Sequence, residues 1–187
     1  MSAASGFGGE DRFVTAPLHG RHVYLRQVGP EDYRLLRTAE LSSHLGVRWR
    51  HRGASLSPEQ WAQRLWHSVL AQHLVIGHDD PNPIGLVSAY QANFQDGYAY
   101  LAAERLQQRV SPLMVFGVAL FVQYVFTCWD FHKLYLEVAE YNAGRFRSGR
   151  LFETEARLRE HLWYRGRRWD QLILALARHG WKRADAS

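Results

Sequence analysis

Three segments decide the architecture of this chain: Tyr98–Glu104 (YAYLAAE), Leu113–Trp129 (LMVFGVALFVQYVFTCW) and Lys133–Ala139 (KLYLEVA). The outer two are short runs of strand length, and the middle one is apolar except for Gln123 and Thr127. Leu113–Trp129 falls short of the ~20 residues that span a bilayer core, so it predicts a buried helix and no membrane association. A helix that links two neighbouring strands joins them in parallel, because the chain must return to the same end of the sheet before starting again.

Upstream, Leu74–Gly77 and Ile84–Phe94 are apolar, β-rich runs separated by Asp79-Asp80-Pro81-Asn82-Pro83, and Gln95-Asp96-Gly97 divides the second from Tyr98–Ala103. This punctuation predicts a three-strand antiparallel meander. Ser57-Pro58-Glu59-Gln60 starts a helix that carries Trp61, Leu65 and Val69 on one face. Gly29-Pro30-Glu31-Asp32 starts an earlier one, running to about Ser43, and His22–Val28 alternates as a strand. Downstream, Ala156–Tyr164 and Arg168–Ala177 flank Arg165-Gly166-Arg167 as a hairpin. The order predicts an α/β (α+β) domain over residues 20–182, with a mixed, mostly antiparallel sheet of about seven strands flanked by helices. Residues 1–19 read as a flexible leading segment and 183–187 as a tail.

Composition removes several classes of protein. One cysteine, Cys128, excludes a disulfide scaffold and a cysteine-rich zinc module; it reads as a buried, inert thiol, and a reducing cytoplasm is the expected home. Met1–Asp11 has no basic region followed by an apolar one, so no export signal is expected. Ten histidines form no metal-binding spacing beyond a weak grouping of His73 with His78-Asp79-Asp80, and no metal is expected. There is no P-loop, no Gly-x-Ser-x-Gly elbow and no strand-following Gly-x-Gly-x-x-Gly. The net charge of +5 is uneven: Arg145–Arg183 holds 11 basic and 4 acidic residues, against 12 and 14 elsewhere. Such a patch suits phosphates, an acidic carrier protein or nucleic acid, or is a solvated hairpin face.

Taken in order, Val23-Tyr24-Leu25-Arg26 with Pro30-Glu31-Asp32, Ile84-Gly85, Leu101-Ala102-Ala103-Glu104, Tyr124-Val125-Phe126, His132–Val138, Asn142, Glu155–Glu160 and Arg165–Asp170 carry a resemblance. From about Gly20 to Trp181 the chain resembles the GNAT superfamily of acyl-CoA-dependent N-acyltransferases, in particular the branch of ribosomal-protein N-terminal acetyltransferases and its small-molecule relatives. The resemblance implies that the fourth and fifth strands, 98–103 and 133–139, splay into a cleft. There the backbone edge of Tyr100–Ala103 would pair with the pantetheine arm of acetyl-CoA or another acyl-CoA. A primary amine, on a peptide N-terminus or a small metabolite, would attack the thioester directly, without a covalent enzyme intermediate. By the same resemblance Leu101, Ala102, Ala103, Arg109, Val110, Ser111, Leu113, Met114 and Asn142 would hold the donor. Glu104 would serve as base, ahead of Glu137 and Glu140, and Ser148, or Tyr141 or Tyr135 from another direction, would protonate the departing thiolate.

The chain departs from the family pattern in two places. Relatives cradle the donor's pyrophosphate in a glycine-rich loop before the long helix, whereas Val110 and Pro112 stand at the glycine positions here, and proline has no N–H to offer. This admits a rearranged CoA loop, a donor presented on an acyl carrier protein, or a non-catalytic binding or regulatory domain. Ala143–Phe152 is also about two residues short and holds no tyrosine, which leaves the acid unassigned. Val47–Gly53 interleaves aromatic and cationic residues and, with Trp49, Trp61 and Trp66, fits a lid over the acceptor as well as a nucleic-acid surface. Nucleic acid ranks below an amine acceptor, and edge strands leave a homodimer open.

Overall fold

The computed structural model describes residues 16–41, 54–107, 111–145 and 151–185. An eight-stranded sheet is built from β1 (Leu18–His19), β2 (Val23–Gln27), β3 (Val69–Gly77), β4 (Gly85–Asn93), β5 (Tyr98–Arg105), β6 (Lys133–Ala139), β7 (Glu153–Tyr164) and β8 (Arg167–Ala177). Their order across the sheet is β1-β2-β3-β4-β5-β6-β8-β7, with β5 and β6 parallel and the other neighbours antiparallel. The mixed sheet and its parallel pair agree with the sequence. The extra strand is β1, whose two residues are too few to show a period.

Helices cover both faces: α1 (Tyr33–Leu41, after a 3-10 turn at Pro30–Asp32), α2 (Pro58–Trp66), α3 (Leu113–Cys128) and α4 (Arg178–Asp185). Alternation along the strands sends Val23, Leu25, Val75, Val87, Ala99, Leu101, Leu134 and Leu136 to one face, against Phe121, Val122, Val125 and Phe126 of α3. Leu74, Ile76 and Leu86 point the other way, against Leu36 of α1 and Trp61 and Leu65 of α2. Glycine lets α3 lie close to the strands: a Cβ on Gly117 would stand 2.3 Å from a Val75 methyl, and one on Gly85 2.4 Å from the sulfur of Met114.

Local chemistry corrects three expectations. α2 stops at Trp66, His67 is extended and Ser68 takes a φ of 58°, so Val69 begins a strand and does not continue the helix. The indole N–H of Trp61 donates to the buried Glu40 carboxylate and that of Trp66 to the Tyr33 hydroxyl at 2.7 Å, so both tryptophans bind α2 to α1. The hairpin loop is two residues, Arg165 and Gly166 with φ of 51° and 75°, which places Arg167 in β8 opposite Tyr164. Finally, α3 is apolar all round yet buried on one side: Val125 and Phe126 turn inward, while Val115, Phe116 and Cys128 are exposed. Residues 1–15, the Val47–Gly53 segment with Trp49, and 186–187 lie outside the described residues.

The C-terminal end of α3 is closed by one side chain. Arg178, first residue of α4, donates from Nε to the Phe131 carbonyl at 2.6 Å, from Nη1 to that of Phe126 at 2.7 Å, and from Nη2 to that of Trp129. These are carbonyls that a helix end and the turn after it leave unsatisfied, and the cation also meets the negative end of the helix dipole. Arg178→Met should therefore cost about 3 kcal/mol in urea unfolding, since the methionine fills the space and bonds to none of the three.

His73 lies on β3 beneath α3, with ring centroids 5.6 Å from Phe121 and 5.3 Å from Tyr124. Burial disfavours its cation and depresses its pKa to about 4. The unfolded chain takes up this proton near pH 6.5 and the folded one near 4, so stability is lost as the pH falls through that window. Comparing wild type with His73→Phe isolates the effect: the variant should gain about 3 kcal/mol relative to wild type between pH 7 and pH 4.

Candidate active site

The parallel pairing of β5 with β6 runs for four registers, from Tyr98 opposite Lys133 to Leu101 opposite Leu136. Beyond it β5 continues to Arg105 beside β4, and β6 continues to Ala139 beside β8, so the two strands part. The backbone of this part of β5 alternates between its two sides. Leu106 donates to the Ile84 carbonyl at 3.0 Å, and the Glu104 carbonyl lies 2.7 Å from where a Gly85 Cβ would be, so even-numbered residues bond towards β4. Ala103 and Arg105 consequently direct their N–H and C=O groups into the cleft. That edge can pair with an extended amide-bearing chain as an added strand would.

At the start of α3 the backbone is arranged differently. The N–H of Leu113 donates to Ser111 Oγ at 3.3 Å, that of Met114 to the Ser111 carbonyl at 3.3 Å, and that of Val115 to the Pro112 carbonyl at 3.1 Å. Pro112 has no N–H. From 112 to 115 every position either lacks a donor or uses it within the chain. Met114 is also packed on Gly85. The residues present thus fit a pantetheine arm at the β5 edge, whereas this first turn does not offer a diphosphate the amides that a helix N-terminus usually supplies. Arg109 and Val110 lie outside the described residues.

The other expected site residues stand on the cleft walls. Leu101 is buried at the last paired register, Ala102 and Ala103 follow it, and half-buried Glu104 sits opposite Leu86, on the face that carries α1 and α2. Tyr141 and Asn142 lie in the 3-10 turn Glu140–Arg145 immediately after β6, at the open end. Tyr141 stacks on Tyr164 at 5.0 Å and meets Trp169 edge-on at 4.9 Å, so the hairpin holds this turn. Arg157 ties it further by pairing with both Glu140 and Asp170. Ser148 lies outside the described residues. Among the described residues no three His, Cys, Asp or Glu side chains gather as a metal site. His73 is buried, while His78 is exposed beside the Gly20 carbonyl.

Tyr135, expected as an alternative acid, stands at the closed end within a group of four tyrosines that local sequence does not reveal. Tyr100 lies opposite both Tyr90 and Tyr135, and Tyr98 opposite Lys133, all on the face away from α3. Ring centroids are 5.8 Å apart for Tyr90 and Tyr100, 5.5 Å for Tyr100 and Tyr135, and 5.6 Å for Tyr98 and Tyr135. The Tyr90 hydroxyl donates to Glu137 at 3.4 Å, and Lys133 pairs with Glu155 above the Tyr135 ring. Burial first, and the Glu137 charge second, raise the Tyr100 pKa. The spacing of Tyr98 and Tyr100 marks one strand face, but joining them to Tyr90 and Tyr135 requires the registers.

No family model matches the chain, and no curated protein matches it in sequence. Solved structures do match its fold. A spermidine N-acetyltransferase from Vibrio cholerae, in complex with CoA and spermine, superposes with a TM-score of 0.70 at 18% identity over 87% of this chain and 99% of that one. A probable acetyltransferase of the GNAT family from Chromobacterium violaceum gives 0.70 at 16% identity over 97% and 98%. A GCN5-related N-acetyltransferase from Brucella melitensis gives 0.67 at 17% identity over 89% and 80%. The splayed parallel pair, the helix that links it and the order of the surrounding strands are thus those of the GNAT acetyltransferase fold.

Proposed function

We propose that the chain is an N-acyltransferase that moves an acyl group from a pantetheine thioester, acetyl-CoA or another acyl-CoA, to a primary amine. The observation that supports it most is the separation of β5 from β6 after Leu101 and Leu136, which turns the backbone of Ala103 and Arg105 towards the gap. A pantetheine arm paired there would bring its thioester to the apex. The amine would then approach from the face of Glu104 and Glu137. In this reading Glu104 takes the proton of the attacking ammonium, directly or through one water, and the amine nitrogen forms its bond to the thioester carbon as the carbon–sulfur bond breaks. The thiolate leaves on the side of Tyr141 and Asn142 and takes up the second proton that the amine nitrogen releases. Positioning and proton removal are the protein's share.

Ala103→Pro removes one cleft-facing N–H while leaving the bonds of Ala102 and Glu104 to β4 in place. It should weaken acetyl-CoA binding about ten-fold, the value of one hydrogen bond, with the thermal midpoint nearly unchanged. Glu104→Gln should lower turnover by about a hundred-fold with little change in donor affinity. Unaltered binding in the first variant and unaltered turnover in the second would remove the basis of this assignment.

A second reading of the donor follows from the first turn of α3. With the amides of Leu113–Val115 engaged internally, most of the donor's binding would come from its pantetheine arm. A thioester on the phosphopantetheine of an acyl carrier protein would then serve as well as acyl-CoA. On this reading acetyl-pantetheine and acetyl-CoA should support transfer with kcat/KM within about three-fold, under ~1 kcal/mol of difference. A loss of several hundred-fold without the nucleotide portion would assign the donor to CoA and show that the diphosphate is bound by other groups.

A further inference from the structure

Two carboxylates flank the tyrosine face, and they differ in one respect. Glu155 pairs with the Lys133 ammonium, which stands 5.6 Å from the centroid of Tyr135. This is a complete ammonium seat: a cation, the face of a tyrosine and a carboxylate. Across the same face, Glu137 accepts from the Tyr90 hydroxyl beside Tyr100, and among the described residues it has no cationic partner. Glu137 is exposed and Tyr90 and Tyr100 are half-buried, so the carboxylate is approachable from solvent. Tyr100 directly precedes Leu101 and Glu137 directly follows Leu136, the last paired residues before the strands part. The second group therefore stands at the apex of the cleft.

We propose that Glu137, Tyr100 and Tyr90 form the seat of the acceptor's ammonium group, so that the substrate is a cationic alkylamine held by a carboxylate and by tyrosine faces. The substrate class rests on the acyl-transfer reading; the seat itself does not. An ammonium ion is attracted to the faces of aromatic rings and to an adjacent anion, whereas a neutral alcohol of the same length gains neither. Lys133 shows that this sheet face already holds an ammonium in that manner. The carboxylate sets the charge of the ligand, and the apex position sets how near the amine lies to a thioester threaded along Ala103.

The test is titration of the isotopically labelled full chain with n-butylammonium and with n-butanol, followed by NMR at the amides of β4, β5 and β6. The alcohol should bind about ten-fold or more weakly than the ammonium. Glu137→Gln and Tyr100→Leu should each weaken butylammonium about five-fold or more, while Tyr100→Phe, which keeps the ring face and the packing, should stay within about two-fold of wild type. Equal binding of the alcohol, or a Glu137→Gln variant indistinguishable from wild type, overturns the seat. Butylammonium binding with this pattern but no acyl transfer from acetyl-CoA or acetyl-pantetheine would sustain the seat and remove the acyl-transfer reading. Acyl transfer to amines that is insensitive to Glu137→Gln would do the reverse.

Discussion

β6 can pair on two sides, and it treats its neighbours unequally. It keeps antiparallel register with β8 over seven residues, from Lys133 opposite Ala177 to Ala139 opposite Gln171, but parallel register with β5 over only four. Strands in a sheet twist, so two that are each held by another partner can separate where their mutual pairing ends. The cleft follows from that inequality, as do the turned-out amides of Ala103 and Arg105. Supports lie on both sides: β5 is bonded to β4 along its length, and the turn after β6 is held by Tyr164, Trp169 and Arg157. α3, which carries the chain from one wall to the other, is seated by Gly85 and Gly117 and closed at its end by Arg178.

The basic end of the chain takes on a different character once its contacts are known. Arg157 is shared between Glu140 and Asp170, Arg178 binds three carbonyls, and the Arg167 guanidinium lies 3.3 Å from the centroid of Trp169. These arginines brace the hairpin and the helix end. Part of the charge excess visible in composition is therefore structural, and it does not by itself describe a surface waiting for phosphate. The acidic groups of β5 and β6, Glu104 and Glu137, lie on the face of the sheet away from α3, one on each wall of the cleft, which favours a cation there.

Much of this was legible in the sequence because the elements that form the cleft have unmistakable patterns. Tyr98–Glu104, the apolar α3 and Lys133–Ala139 are each too regular to be confused, and a helical crossover admits only the parallel pairing. The first half of β3 was hidden because Gln72 and His73 interrupt its apolar run, although both are buried in the sheet. The burial expected for Cys128 fails because a helix that is apolar all round does not reveal which side faces the core. α4 is polar and short, and Trp61 and Trp66 had no visible partners until Glu40 and Tyr33 were placed beside them. The tyrosine seat needed cross-strand registers, which local sequence does not contain.

The central claim is that the cleft edge of β5 receives the donor as an added strand, and amide hydrogen exchange tests it residue by residue. Adding saturating acetyl-CoA should slow exchange at Ala103 and Arg105, whose N–H groups face the gap, and leave Ala102 and Glu104, already bonded to β4, nearly unchanged. Protection absent at Ala103 and Arg105, under conditions where acetyl-CoA is demonstrably bound, would place the donor elsewhere and contradict the account.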